Sequence, residues 1–192
     1  MSDDTDRRMR RDPTPEALDA VEAGATFPIT GIAQIALVVK DLDATVRQWH
    51  DRFGVGPWHF YTYGPPLVKR MSRHGAPCEY RMRIALANVG PMRIELIEPI
   101  EGDTVYAEFV REHGYGVHHL GVLVDDMTDA LARADAAGLA MTQDGAGFGP
   151  DGDGHYAYLE TEPLLGTTIE LIERPARRTV PEKVYPPEAS RP

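Results

Sequence analysis

Two glutamates, Glu95 and Glu170, sit inside apolar runs, and the runs are the same. Ile94-Glu95-Leu96-Ile97-Glu98 recurs as Ile169-Glu170-Leu171-Ile172-Glu173, and a proline follows each (Pro99, Pro175). Branched aliphatics stopped by proline predict a strand. Side chains in a strand alternate between faces, so each central glutamate points away from its apolar neighbours. A carboxylate so placed must be exposed, paired or bound to a metal, because an unpaired charge among apolar groups is expensive. Two at equivalent places in a repeat can share one task, such as holding a cation or moving a proton.

A second repeated stretch supplies partners for them. Residues 31–42 align without gaps to residues 116–127. Each copy starts at a glycine, runs through an apolar strand and ends near an aspartate (Asp41, Asp126) that can open a helix. In this register Gln34 matches His119. Each copy therefore offers one polar group on its first strand and one glutamate on its last. The chain reads as two copies of one module.

The elements that position these residues follow from periodicity. In the first module a strand is predicted over 32–39 and a helix over 43–53, where Leu42, Val46, Trp49 and Phe53 form a core stripe and Gly54 a C-terminal cap. A turn at 54–58 precedes the aromatic run of Phe60, Tyr61 and Tyr63, and 67–75 is basic. A strand over 78–87 puts Tyr80, Met82, Ile84 and Leu86 on one face and Glu79, Arg81 and Arg83 on the other. A turn at 88–91 leads into the Glu95 strand, giving the order β-α-β-β-β. A linker with a helix over 104–112 joins the second module. There the spacing predicts a strand over 117–124, a helix over 127–137, a short strand over 139–142 and a hairpin of 155–161 with 167–173. The glycine-rich, acidic stretch 145–154 lacks the lysine and context of a phosphate loop, so it is read as a mobile turn. The resulting division is a disordered tail at 1–27, modules at 28–100 and 116–175 around a linker at 101–115, and a proline-rich tail at 176–192. That last tail is expected to wrap the surface or a partner, or to be disordered.

Composition bounds the partners. With 192 residues and a net charge of -10, the chain suits neither general nucleic-acid binding nor an anionic membrane. Cys78 is the only cysteine, so neither an internal disulfide nor a cysteine-rich metal site can form. No apolar run is long enough to span a bilayer, and the N-terminal arginines precede no apolar segment. A cytoplasmic location is expected.

Val117-His118-His119-Leu120-Gly121-Val122-Leu123-Val124-Asp125-Asp126 and Leu165-Gly166-Thr167-Thr168-Ile169-Glu170-Leu171 resemble phrases of the vicinal-oxygen-chelate superfamily, the glyoxalase/bleomycin-resistance/dioxygenase group. Within it they are most similar to methylmalonyl-CoA epimerase-like and glyoxalase-like proteins, over about residues 31–175. The resemblance implies an α+β fold in which two tandem βαβββ modules form a curved, barrel-like mixed sheet around a metal site. It implies one divalent ion held by Gln34, Glu95, His119 and Glu170, which the repeat register also pairs. Epimerases place a histidine at the Gln34 position, whereas some glyoxalases place glutamine there. It further implies a homodimer.

Two carboxylates, an imidazole and an amide oxygen form a mostly hard set that suits Zn, Ni, Co, Mn or Fe. Oxygen-activating iron commonly uses two histidines and one carboxylate, so a ring-cleaving dioxygenase ranks below the other readings. The leading expectation is an enzyme that removes a proton next to a metal-bound carbonyl of a small carbonyl or thioester substrate, with isomerase, epimerase or lyase outcome. The resemblance implies that Glu170 is the base as well as a ligand, and Glu79 is a candidate second acid/base. Arg81 and Arg83 are candidates for a substrate anion, if their face is the concave one. Trp58 and Tyr61 are candidate pocket walls. His118 is expected on the opposite face from His119, as a structural residue. The alternative reading is a metal-free sequestering protein of the bleomycin-resistance kind.

Overall fold

The computed structural model describes residues 27–187, so the expected N-terminal tail lies outside the described residues. The centre of the fold is a pair of first strands, β1 (Gln34–Val38) and β7 (Gly116–Leu123), running antiparallel. Ile35 pairs with Leu120. Those two residues are equivalents in the repeat, so a pseudo-two-fold axis passes through this pair.

Everything else spreads outward from that seam. β6 (Met92–Glu101) lies parallel to β1, and β10 (Thr168–Glu173) lies parallel to β7. Next come β5 (Arg81–Val89) and β2 (Trp58–Tyr63) on one side, β9 (Gly154–Leu159) and β8 (Met141–Phe148) on the other. Each half is thus four strands of the same order. The halves are then edged asymmetrically. β3 (Arg70–Arg73), with its short partner β4 (Ala76–Pro77), leaves the first half to pair with β8 of the second. β11 (Lys183–Tyr185), from the proline-rich end, pairs with β2. The whole is a curled mixed sheet of eleven strands with few helices.

The two module helices start alike. Asp41 accepts a hydrogen bond from the Ala44 N–H at the head of α1 (Leu42–Phe53), and Asp126 does the same for the Asp129 N–H. Asp126 heads α3 (Met127–Ala136), which follows the linker helix α2 (Val105–His113). Each such cap contributes about 1 kcal/mol. α1 ends at Gly54 in the left-handed region, as expected of a glycine cap. Leu42 and Val46 bury against Trp58, Phe60 and Leu96, whereas Phe53 is 71% exposed and belongs to no core. Beneath α3, Met127, Ala130 and Ala134 cover Leu159, Ile169 and Leu171. A further core joins the halves through Met82, Ile84, Tyr106, Phe148 and Tyr156. A fourth, short helix, α4 (Glu162–Leu165), precedes β10. No helix among the described residues is long and apolar enough to cross a membrane.

The largest departure from the sequence reading is β8. Its glycines are there for close approach rather than for mobility. A Cβ on Gly145 would lie 2.3 Å from the Tyr156 ring, and Gly147, at φ 82°, sits at a register shift between Ala146 and Phe148. Asp144 is not solvated; it accepts from Ser72 and lies 2.9 Å from His155 Nε2, tying β3 to β8 and β9. The basic stretch that contains β3 offers little apolar alternation, which is why no strand is read there from the sequence.

Candidate metal centre

Each of the four residues singled out by the repeat stands on one of the four central strands. Glu95 neighbours Ala36 in register, and Glu170 neighbours Gly121. Ala36 faces His119 across the seam, and Gly121 faces Gln34. Small residues thus alternate with the polar ones, and the long side chains converge over them. The Gln34 amide nitrogen donates to Glu95 Oε2 at 2.8 Å and to Glu170 Oε2 at 3.1 Å. His119 Nε2 lies 3.0 Å from Glu170 Oε2 and 3.5 Å from Glu95 Oε2. All four side chains are buried.

Burial drives the Glu95 carboxyl above its ordinary pKa, and His119 only partly offsets this. Burial alone would push the His119 imidazole down, but Glu170 and Glu95 outweigh it and hold it at about 9. On the other side, His119 Nδ1 lies 2.9 Å from His118 Nδ1. His118 packs on Tyr106 and Phe109 of α2, and burial pushes its pKa down to about 2. A neutral His118 accepts the Nδ1–H of His119, which leaves Nε2 as the atom turned to the carboxylates.

The donor set fits a divalent cation. Ligand atoms of Glu95, His119 and Glu170 all lie within 4.8 Å of one another. Although the Glu170 oxygen is close to His119 Nε2, it lies off the ring's N–H direction, so this fully buried nitrogen lacks a well-formed hydrogen bond. When an incoming cation displaces the proton from His119 Nε2, two carboxylates and a neutral imidazole are left, and their charge is what a divalent ion cancels. Rotation of its terminal amide gives Gln34 an oxygen to contribute.

Gln34, Glu95 and Glu170 form the floor of a cavity of about 180 Å³, and His119 is buried behind the two glutamates. Met82, Ile84, Leu86 and Phe148 make apolar walls, and Tyr63 and Tyr158 stand beside the glutamates. Tyr61 also lines the cavity. The other expected wall, Trp58, is instead fully buried under α1, with its indole N–H donated to the Val55 carbonyl. Alternation in β5 is as read, but the apolar face is the concave one. Arg81 therefore points outward to Glu101, and Arg83 to Asp43 and Glu98. Glu79 is exposed in the irregular stretch before β5 and does not line the cavity, because the strand starts at Arg81 rather than Cys78. Residues that the sequence reading passed over line the mouth: Arg93, Arg174 and Arg178. Alternation was the available signal for two of them, since Arg93 is two residues before Glu95 and Arg174 four after Glu170.

Comparison with known proteins places this architecture. The family model of the Glyoxalase/Bleomycin resistance protein/Dioxygenase superfamily matches residues 33–158. The chain belongs to that superfamily. A curated relative, the uncharacterised protein YqjC of Bacillus subtilis (strain 168), is 24% identical over 95 residues, which is 50% of this chain and 67% of that protein. Methylmalonyl-CoA epimerase from Mycobacterium tuberculosis has a similar structure, with a TM-score of 0.58 at 24% identity over 79% of this chain and 92% of that one. The Streptomyces coelicolor methylmalonyl-CoA epimerase, in complex with 2-nitronate-propionyl-CoA, gives 0.59 at 22% identity over 78% of this chain and 100% of that one. At such identities the likeness is one of fold.

Proposed function

We propose that the protein is a metal-dependent enzyme that moves a proton on the carbon next to a carbonyl, with an isomerase, epimerase or lyase outcome. The observation that carries this reading is the convergence of two repeat-equivalent glutamates and one glutamine on the floor of an apolar cavity, with one histidine buried against the glutamates. Glu95, His119 and Glu170, with Gln34, would hold a divalent ion. Such an ion supplies positive charge against the negative charge that develops on the carbonyl oxygen as the proton leaves. Glu170 lies at the cavity wall and, as a carboxylate, takes the proton. Apolar walls around it keep water away from the reacting carbon and strengthen the electrostatics of the floor. His118 orients His119 from behind. The single imidazole of this set differs from the two-histidine, one-carboxylate arrangement of oxygen-activating iron, which favours proton transfer over oxygen chemistry.

Metal analysis and solvent-deuterium exchange test the reading together. The purified chain is expected to bind one divalent ion, and His119→Ala to lose it. Glu170→Gln keeps a coordinating oxygen but cannot accept a proton at neutral pH, so exchange at the alpha carbon should fall by at least ~10²-fold in a panel of 2-oxo, hemithioacetal and acyl-thioester compounds. Wild-type exchange rates in metal-loaded Glu170→Gln would remove Glu170 as the base. A wild-type chain that binds such compounds but exchanges none would point instead to sequestration.

A further inference from the structure

The mouth of the cavity carries positive charge that the floor does not use. β6 and β10 run in opposite directions, because each lies parallel to one of the two antiparallel first strands. The start of β6 and the end of β10 therefore emerge on the same side. Arg93 stands at that start, on the cavity face shared with Glu95, and Arg174 directly follows that end. Arg178 returns to the same opening from the segment beyond, so all three line the cavity. Ile172 and Leu86 line the same cavity.

Most other described arginines pair with an acid; Arg47 and Arg52, on α1, do not, but neither lines the cavity. Arg73, Arg81, Arg83 and Arg177 are each ion-paired with an acid. Arg93, Arg174 and Arg178 form no ion pair among the described residues, in a chain with 30 acidic residues to 20 basic ones. Partial burial, then the charges of Arg93 and Arg178, hold the Arg174 guanidinium below its usual range. Three like charges gathered at one opening oppose each other, and an anion seated among them relieves that cost.

We propose that the mouth is an anion subsite, and that the substrate carries a carboxylate or phosphate group bound by Arg93, Arg174 and Arg178. Guanidinium forks match both groups through paired, charge-assisted hydrogen bonds. The ligand class is then an anionic head, an apolar stretch against Leu86 and Ile172, and a carbonyl end that reaches the floor. Only the carbonyl end rests on the function proposed above; the anion subsite does not.

The full chain, stripped of metal, would be titrated calorimetrically with malonate and with inorganic pyrophosphate, and zinc binding measured separately on the same proteins. Wild-type protein should bind at least one anion, more weakly as salt rises. Each Arg→Gln change should weaken binding by about tenfold, and R93Q/R174Q/R178Q by more. Zinc stoichiometry should stay at the wild-type value. Arg178 is exposed, so Arg178→Gln serves as a variant whose fold is not at risk. A preference for malonate would assign the head to the substrate's own carboxylate, and one for pyrophosphate to a phosphate on a carrier group. Unchanged anion affinity in the triple variant, or no anion binding by the wild type at millimolar concentration, would overturn the proposal. Arginine-dependent anion binding in a protein that holds no zinc would leave the subsite standing and remove the metal-dependent reading instead.

Discussion

Gly121 sits where the seam between the halves meets the metal centre, and Gly121→Ala tests both. A Cβ at this position would lie 2.8 Å from Gln34 Cβ and 2.8 Å from Ile172 Cδ1. Carbon atoms prefer separations of about 3.5–4.0 Å, so roughly an ångström of movement is required. The end of Ile172 can swing aside. Gln34 Cβ cannot, because Gln34 is the direct partner of Gly121 across the antiparallel pair, and its displacement moves β1. Forcing one methyl into such a place costs about 1–3 kcal/mol. For a chain of this size each kcal/mol lowers the melting temperature by about 2–4 °C, so a drop of about 2–12 °C is expected in a thermal scan. Zinc affinity, measured by titration calorimetry, should fall as well, since Gln34 is a candidate ligand. Gly116→Ala, on the same strand, is the control. A Cβ there has nothing within 4 Å, so melting should be unchanged or rise slightly through a stiffer unfolded chain. If Gly121→Ala melted and bound zinc like the wild type, the close seam and its link to Gln34 would both be refuted.

Three further outcomes are expected. His118→Leu removes the acceptor behind His119 and should weaken zinc binding by about 10–100-fold while leaving the fold intact by circular dichroism. Arg83→Ala breaks half-exposed pairs with Asp43 and Glu98 on the convex face, so it should cost about 1 kcal/mol or less in denaturant titration and leave substrate binding unchanged. Asp144→Asn bears on pH. Burial would raise the Asp144 pKa, but hydrogen bonds from His155 and Ser72 outweigh it and hold the folded value below the usual carboxylate range. The stabilisation is therefore present above the unfolded pKa of about 4 and lost as pH falls through the folded one. Asp144→Asn should be less stable than wild type at neutral pH, with the gap closing as the solution is acidified below pH ~4.

Much of the centre was legible because the chain repeats itself. A duplicated Ile-Glu-Leu-Ile-Glu and an ungapped pair of first strands suffice to bring Gln34, Glu95, His119 and Glu170 to one point, since the register copies position as well as type. The outer parts were less legible. Strand alternation in β5 separates Arg81 and Arg83 from Met82 and Ile84, yet alternation cannot say which face is concave; curvature is a property of the assembled sheet. Glycines in β8 looked like mobility because the Tyr156 ring that needs Gly145 comes from another strand. β3 and β11 are held by backbone pairing to strands distant in sequence, and such pairing leaves little mark on side-chain pattern. The arginines at the mouth gain meaning only when β6 and β10 are known to run in opposite directions.

The borrowed strands β3 and β11 carry a consequence for solubility. A half of four strands joined to its copy has two outer edges, β2 and β8, and each would present a row of unpaired backbone groups to other molecules. Here β11 covers Trp58–Phe60 of β2 and β3 covers Gln143–Ala146 of β8, and among the described residues the outermost strands are only β11, of three residues, and β4, of two. Proline stands at Pro77 within β4 and at Pro186 just after β11. Short, proline-marked margins are poor templates for further strands. A bare duplicated sheet would offer two longer edges for stacking edge to edge; β3 and β11 leave it short ones instead.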